Sequence, residues 1–278
     1  MSDSLAPAAE PLARPLVQAP RGWHQASALI RRVWTFCIVE IQKLSHDPIE
    51  LGTRAIQPAL WMLIFGQTFS RLRAIPTGQV SYLAFLAPGI VAQSALFISI
   101  FYGIMIIWDR DAGILSKLMV TPSPRAALIA GKAFSAGVRA VSQVVVIVII
   151  ALLMGVAINL NPFKLLGVVV ATVLGAAFFS CLSMIIAGIV RVRDRLMGIG
   201  QAITMPLFFA SNALYPIDIM PAWLRVISRI NPLSYQVDAL RGLMVGTPAN
   251  LLLDFAVLLV AAALGIWGAA VALERLVR

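Results

Sequence analysis

Residues 82–108, YLAFLAPGIVAQSALFISIFYGIMIIW, contain no charged side chain. As a helix they would extend about 40 Å, more than the roughly 30 Å hydrocarbon core of a bilayer. Inside lipid every backbone N–H and C=O must find its partner within the protein, so a run of this kind crosses as a helix or not at all. A second run, AVSQVVVIVIIALLMGVAI at 140–158, imposes the same constraint. The rest of the chain agrees. Of 278 residues 60% are hydrophobic and 12% charged, about half the charge of a soluble domain. A surface so poor in polar groups is solvated by lipid.

Six apolar stretches are candidates for spans: 55–70, 82–108, 127–158, 165–190, 196–215 and 251–273. The predicted fold is therefore an all-α integral membrane protein with six transmembrane helices. Lys and Arg set its orientation. Six in residues 1–54, four in 109–132, three in 191–195 and two in 274–278 fall on one side. Two in 71–80, one in 159–164 and three in 216–250 fall on the other, and Arg139 lies inside a helix. The richer side is the cytoplasm, so both termini are expected inside. Residues 1–22, rich in Pro and Ala, lack the apolar core of a signal peptide and are read as a disordered tail; residues 23–278 form the membrane domain. In 23–46, Ala26, Ile30, Val33, Cys37, Ile41 and Leu44 recur at steps of four and three, the pattern of an amphipathic helix lying in the interface.

Two polar inserts interrupt the spans. The cytoplasmic one is DRDAGILSKLMVTPSPR at 109–125. Asp109 or Asp111 can cap a short helix, Ile114, Leu115, Leu118 and Met119 form its apolar stripe, and Pro122 and Pro124 stop it. About two turns of helix are unstable alone, so the insert docks either on the membrane surface or into a cytoplasmic partner. The outer insert lies between the fifth and sixth spans. There Pro221 opens a helix whose apolar face is Trp223, Leu224, Ile227 and Ile230. Ser234 can cap a second helix, in which Asp238 and Arg241 are spaced to pair. Both pieces are too short to span and read as interfacial or re-entrant helices buried against protein.

Several activities are excluded. A net charge of +10 reflects topology signals and lipid contacts rather than nucleic acid. Gly131-Lys132 is not a phosphate-binding loop, because Ala126 and Ala133 stand where Gly and Ser or Thr are required. The two histidines, His24 and His46, sit in the interfacial segment, and Cys37 and Cys181 show neither metal spacing nor disulfide logic. No catalytic pair or metal site emerges, so the chain reads as a non-enzyme. Intramembrane polar groups are few: Gln57, Gln67, Gln93, Ser94, Gln143, Gln201, Thr204, Ser211 and Asn212. The only carboxylate within the span boundaries is Asp254, near an outer end. An ion-coupled secondary transporter, which usually places ionisable groups at mid-membrane, is the alternative reading. Candidates for a cargo pathway are Phe65, Gln93, Phe97, Met205, Phe208 and Asn212, with Met62, Phe101 and Phe209 supplying further adaptable surface.

Two passages, WDRDAGILSKLMVTPSPRAALIAGK and ALYPIDIMPAWLRVISRINPLSYQVDALR, resemble those of the ABC type-2 exporter permeases, above all the daunorubicin-resistance-like permeases and the nodulation and polysaccharide exporters. The likeness runs from about residue 23 to the end; Asp111 stands where this family more often carries Glu. It implies a transport subunit in the bacterial inner membrane, paired with a second permease copy or a sister permease and with two copies of a separate ATPase. That ATPase binds ATP and Mg; this chain binds no cofactor. It implies that Asp109, Asp111, Leu115, Lys117 and Leu118 form a coupling helix seated in the ATPase, and that Pro221, Trp223, Asn231, Pro232, Asp238 and Arg241 carry the outer motif. The resemblance also implies a hydrophobic or amphipathic cargo: a drug, a lipid or a glycan-linked lipid.

Overall fold

The computed structural model describes residues 23–46, 48–72, 75, 77, 80–115, 117, 125–190 and 192–277. The tail at 1–22 lies outside them, as do Leu118, Met119, Pro122 and Pro124. Every element among the described residues is helical. In chain order they are α1 (Trp23–His46), α2 (Pro48–Leu60), a π-helical turn (Trp61–Gly66) and α3 (Gln67–Leu72). Next come α4 (Tyr82–Ile104), α5 (Ile106–Asp111), α6 (Arg125–Leu153) and α7 (Pro162–Val190). Then follow α8 (Arg193–Phe209), a 3₁₀ turn (Ile217–Ile219), α9 (Ala222–Ile230), α10 (Pro232–Met244) and α11 (Leu251–Val277).

Among the described residues, four helical stretches are long and apolar enough to cross a membrane: Tyr82–Asp111, Arg125–Leu153, Pro162–Val190 and Leu251–Leu273. The two remaining sequence candidates are not among them. The stretch at 55–70 lies in the segment made by α2, the π-helical turn and α3. The stretch expected at 196–215 is shorter than predicted: α8 ends at Phe209 after 17 residues. Ser211 is the reason. Its hydroxyl donates to Phe208 O at 2.7 Å and accepts from Ala213 N at 3.3 Å, an alternative to the helical ladder. The stretch expected at 127–158 also ends early, at Leu153. There Val156 N donates to Ala151 O and Gly155 N to Leu152 O, at 2.9 and 3.0 Å. This terminating motif needs the positive φ of 81° that Gly155 adopts.

α4 is the axis of the bundle, packed by α6, α7, α8 and α10, while α11 leans on α7 and α10. Its small residues let neighbours approach, which is how helices associate where lipid is as apolar as the protein. A Cβ at Gly103 would lie 2.4 Å from Ser180 O, and Ser183 Oγ beside it donates to Ile100 O at 2.7 Å. The caps follow the sequence. Ser81 accepts from Ala84 N to start α4, and Asn161 accepts from Phe163 N with Pro162 behind it to start α7.

α1 packs along the first half of α6. Val33, Cys37 and Leu44 lie on or near the packed face as the periodicity requires, but Ile41 is exposed and Glu40 takes its place, buried. Trp34, Ile38 and Ile41 point outward, the arrangement of a helix with one face on protein and another on lipid.

Candidate functional site

Glu40 is the key to one end of the bundle. Its carboxylate is 2% exposed. Arg139 Nε of α6 donates to Glu40 Oε1, and Tyr102 Oη of α4 donates to Glu40 Oε2 at 3.0 Å. The Tyr102 ring carries two cations, with Arg139 Cζ at 5.3 Å and Lys132 Nζ at 5.8 Å from its centroid. Lys132 in turn pairs with Asp109 of α5. A buried carboxylate is tolerated only when paired and hydrogen-bonded; here both oxygens are engaged, and α1, α4, α5 and α6 become one unit. Gly131 permits it. A Cβ there would lie 2.5 Å from Phe36 Cδ2, so glycine lets α1 seat its ring on α6.

The residues expected to form the coupling helix lie just beyond this cluster. Asp109 and Asp111 lie within α5, which ends at Asp111, and the chain turns at Ala112 and Gly113, where φ is +69°. Asp109 is an ion-pair partner, and Asp111 is exposed and held by the neighbouring Arg110 at 2.9 Å. Lys117 N then donates to Gly113 O at 3.3 Å, and Lys117 is exposed. Leu115 is 1% exposed and belongs to the bundle's own core, whereas Ile114 is 47% exposed. The outward residues are thus Ile114, Lys117 and Asp111, with Leu115 as the anchor. Leu118 is outside the described residues.

Polar residues scattered in sequence meet in one cavity. Thr53, Arg54 and Gln57 of α2, Gln93, Ser94 and Phe97 of α4 and Gln143 of α6 line a space of about 160 Å³. It adjoins a larger one of about 500 Å³ that shares Arg54, Ile98 and Phe101 and adds Tyr102, Met105, Trp108, Arg139 and Met197. Of the six predicted pathway residues, Gln93 and Phe97 belong here. Phe65 is instead stacked on Trp61 at 4.4 Å, and Phe208 is fully buried edge-on to the same ring at 5.9 Å. Met205 on α8 is part-buried, and Asn212 is part of the outer motif. A third, apolar hollow of about 570 Å³ lies between α8 and α9, lined by Pro206, Leu207, Phe209, Tyr215, Trp223 and Ile227 among others.

At the outer motif, Asn231 rather than Ser234 caps α10, accepting from Leu233 N at 3.0 Å with Pro232 behind it. Asn231 has a second use. Its Nδ2 donates to Leu207 O at 2.7 Å and Ala210 O at 3.2 Å, taking up carbonyls at the end of α8. Ser234 lies inside the helix against Ser228 Oγ at 3.0 Å. Pro221 caps α9, whose apolar face is not buried against protein as expected: Trp223, Ile227 and Ile230 are exposed, which suits an interfacial helix. Arg241 pairs with Asp238 at 3.4 Å, donates to Asn212 O at 2.8 Å and lies 3.8 Å over the Phe85 ring. Burial pushes the Arg241 guanidinium down to about 10, with Asp238 opposing. Burial raises the Asp238 carboxyl, against Arg241 and the 2.6 Å bond from Asn212.

Sequence reasoning missed Glu40 and the roles of Tyr102, Arg139 and Arg54. A signal was available for two of them: Glu40 interrupts the packed stripe of α1, and Arg139 is the cation inside an apolar helix.

The described residues thus form a helical membrane protein with several helices able to span, a charged surface segment and an open cavity beside it. The ABC-2 type transporter family matches residues 31–245, and the chain belongs to that family. It is similar to the ycf38 protein of Cyanophora paradoxa, 33% identical over 205 residues, 72% of this chain and 69% of that protein. It is also similar to the daunorubicin resistance ABC transporter permease protein DrrB1 of Streptomyces coeruleorubidus, 28% identical over 224 residues (80% and 76%). Nodulation protein J of Rhizobium leguminosarum bv. trifolii is 30% identical over 173 residues (62% and 65%).

Proposed function

We propose that this chain is the permease subunit of an ATP-driven exporter that moves a hydrophobic or amphipathic molecule out of the cytoplasm or the inner leaflet. Two copies, or one copy and a sister permease, work with two separate ATPase subunits that bind ATP and Mg. Six crossings of a bacterial inner membrane, with α2–α3 and α8 completing the four long helices, put both termini and residues 109–132 in the cytoplasm. The observation that carries the reading is the ion-paired seat of the surface segment: Asp109 on Lys132, and Glu40 on Arg139 and Tyr102. A push delivered at Ile114 and Lys117 then reaches α1, α4 and α6 together. An ion-coupled carrier is not favoured, since the family relationship points to ATP-driven partners.

Co-purification of the partner ATPase tests this reading. Ile114→Asp puts a charge on the outward apolar face and is expected to abolish ATPase capture while the permease still inserts. Unchanged capture and stimulation by Ile114→Asp and by Leu118→Asp would remove the coupling role. Cysteine labelling at position 117 from the cytoplasmic side alone is the expected topology.

A further inference from the structure

α8 leaves one side open along its length. Gly198, Gln201 and Phe209 are exposed and Met205 is part-buried; at steps of three and four they run down one stripe of the helix. Ala202 and Pro206 are exposed beside it. A Cβ at Gly198 would meet nothing within 4 Å, so no described residue lies over the stripe there. Gln201 is the middle residue of α8, and its side chain has no hydrogen-bond partner among the described residues. An open amide at the midpoint of a helix that completes a crossing is costly, because hydrocarbon offers it no partner. The apolar hollow of about 570 Å³ lies on the same side: Ala202, Pro206 and Phe209 line it together with the exposed Trp223 and Ile227 of α9.

We infer that this face is the surface on which a second copy of the chain docks, α8 against α8, about a twofold axis along the membrane normal. The inference rests on the reading of the chain as a permease in which α8 crosses the membrane. Three features make the face complementary to itself. Twofold symmetry sets the two helices parallel with equal residues at equal depth, so Gln201 meets Gln201, and a primary amide carries both donor and acceptor. Gly198 and Ala202, four apart, let two helix backbones approach closely. Asp194 and Arg195, in the first turn of α8, are exposed, and neither has an ion-pair partner among the described residues. Consecutive residues on a helix stand about 100° apart, which places these two on opposite edges of the stripe. In a parallel pair such edges oppose each other, so Asp194 of one copy meets Arg195 of the other. A lipid chain can fill the hollow, but it answers neither the amide nor the charges.

The test is made in membranes carrying the full chain with Cys37→Ala and Cys181→Ala. Single cysteines are introduced on the stripe as Gly198→Cys, Gln201→Cys and Met205→Cys, and on the exposed side of α11 as Leu259→Cys and Leu264→Cys. Each is oxidised with copper phenanthroline. The stripe is expected to give disulfide-linked dimers at least tenfold above the α11 controls. Gly198→Leu fills open space in the single chain, so the yield of inserted protein should hold, yet cross-linking through Met205→Cys should fall at least tenfold. Asp194→Arg is expected to weaken that cross-link by up to about fivefold, and Asp194→Arg with Arg195→Asp to restore it. Equal cross-linking on stripe and controls, or a stripe cross-link unmoved by both Gly198→Leu and Asp194→Arg, overturns the proposal. So does a stripe that links only to a different protein, such as a sister permease. Capture of the ATPase is measured on the same membranes: if it persists while the stripe stays unlinked, this interface alone is lost, and if the parent chain captures no ATPase, the permease reading goes with it.

Discussion

Replacing Arg139 with Leu isolates what holds α1 to the bundle. The substitution leaves Glu40 2% exposed with only the Tyr102 hydroxyl at 3.0 Å in place of a cation. Removing one partner of a buried ion pair costs about 3–5 kcal/mol, because the remaining charge is uncompensated. Glu40→Gln should cost less: the side chain of Arg139 is 12% exposed and can reach toward headgroups or water. Tyr102→Phe removes one hydrogen bond to a charged group, about 1.5–3 kcal/mol. The double variant Glu40→Met with Arg139→Leu replaces the pair by apolar side chains and should recover to within about 1 kcal/mol of the parent. The assay is local. Cys37 lies on α1 one turn before Glu40 and is part-buried, while Cys181 is fully buried and serves as the internal reference. A loss of about 3–5 kcal/mol raises the undocked population of α1 by about two to nearly four orders of magnitude, and maleimide labelling of Cys37 should rise accordingly in Arg139→Leu. Labelling within threefold of the parent, or a double variant as reactive as the single one, would refute the claim that this ion pair is the latch.

The parent thiol makes a pH prediction of its own. Burial, and then the Glu40 carboxylate, raise the Cys37 pKa. Its neutral form persists to higher pH, so alkylation should still be climbing where an ordinary cysteine has levelled off, and Glu40→Gln should shift that rise to lower pH. Gly131→Ala forces the Phe36 ring to move and should destabilise by about 1–3 kcal/mol; Phe36→Leu in the same chain should restore the thermal midpoint. Asn231→Ala is expected to cost about 1 kcal/mol for the cap and about 1–3 kcal/mol more for the carbonyls of Leu207 and Ala210 left unpaired. Asn231→Asp should recover only the cap, which separates the two terms in a denaturation series. In the segment proposed to couple to an ATPase, Asp111→Ala and Lys117→Ala should change ATPase capture little, because exposed ion pairs contribute about 0–1 kcal/mol.

The long apolar helices were readable because lipid imposes one simple requirement on a run of residues, and periodicity reports it. Their ends were less so. Gly155 closes α6 earlier than hydropathy indicates, and Ser211 diverts the chain after α8; both act through local hydrogen bonds that a hydropathy window averages away. The outer motif shows the same division. The spacing of Asp238 and Arg241 announced their pairing, yet Asn231 won the cap from Ser234 because it also serves α8, a contact more than twenty residues distant. Glu40 and Arg139 are separated by 99 positions, and no local pattern joins them. The amide cavity was legible as a list of polar residues but not as a place, since α2, α4 and α6 must pack before those side chains meet. Leu115 belonged to an apolar stripe in sequence; only the packing decided that it faces the permease itself while Ile114 faces out.

The π-helical turn at Trp61–Gly66 has a mechanical consequence. Before it, Arg54 and Gln57 border the cavity. From it onward the rings of Trp61, Phe65, Phe69, Tyr82 and Phe85 follow one another at 4.4, 6.1, 5.6 and 6.4 Å, and the last lies under the Arg241 guanidinium. Each contact contributes about 0.5–1.5 kcal/mol beyond its buried area. The segment and the start of α4 therefore form one aromatic strut, with the cavity at its foot and the Arg241 guanidinium at its head. Movement of its foot beside Gln57 would therefore be carried along the rings to the Arg241 guanidinium at the other end.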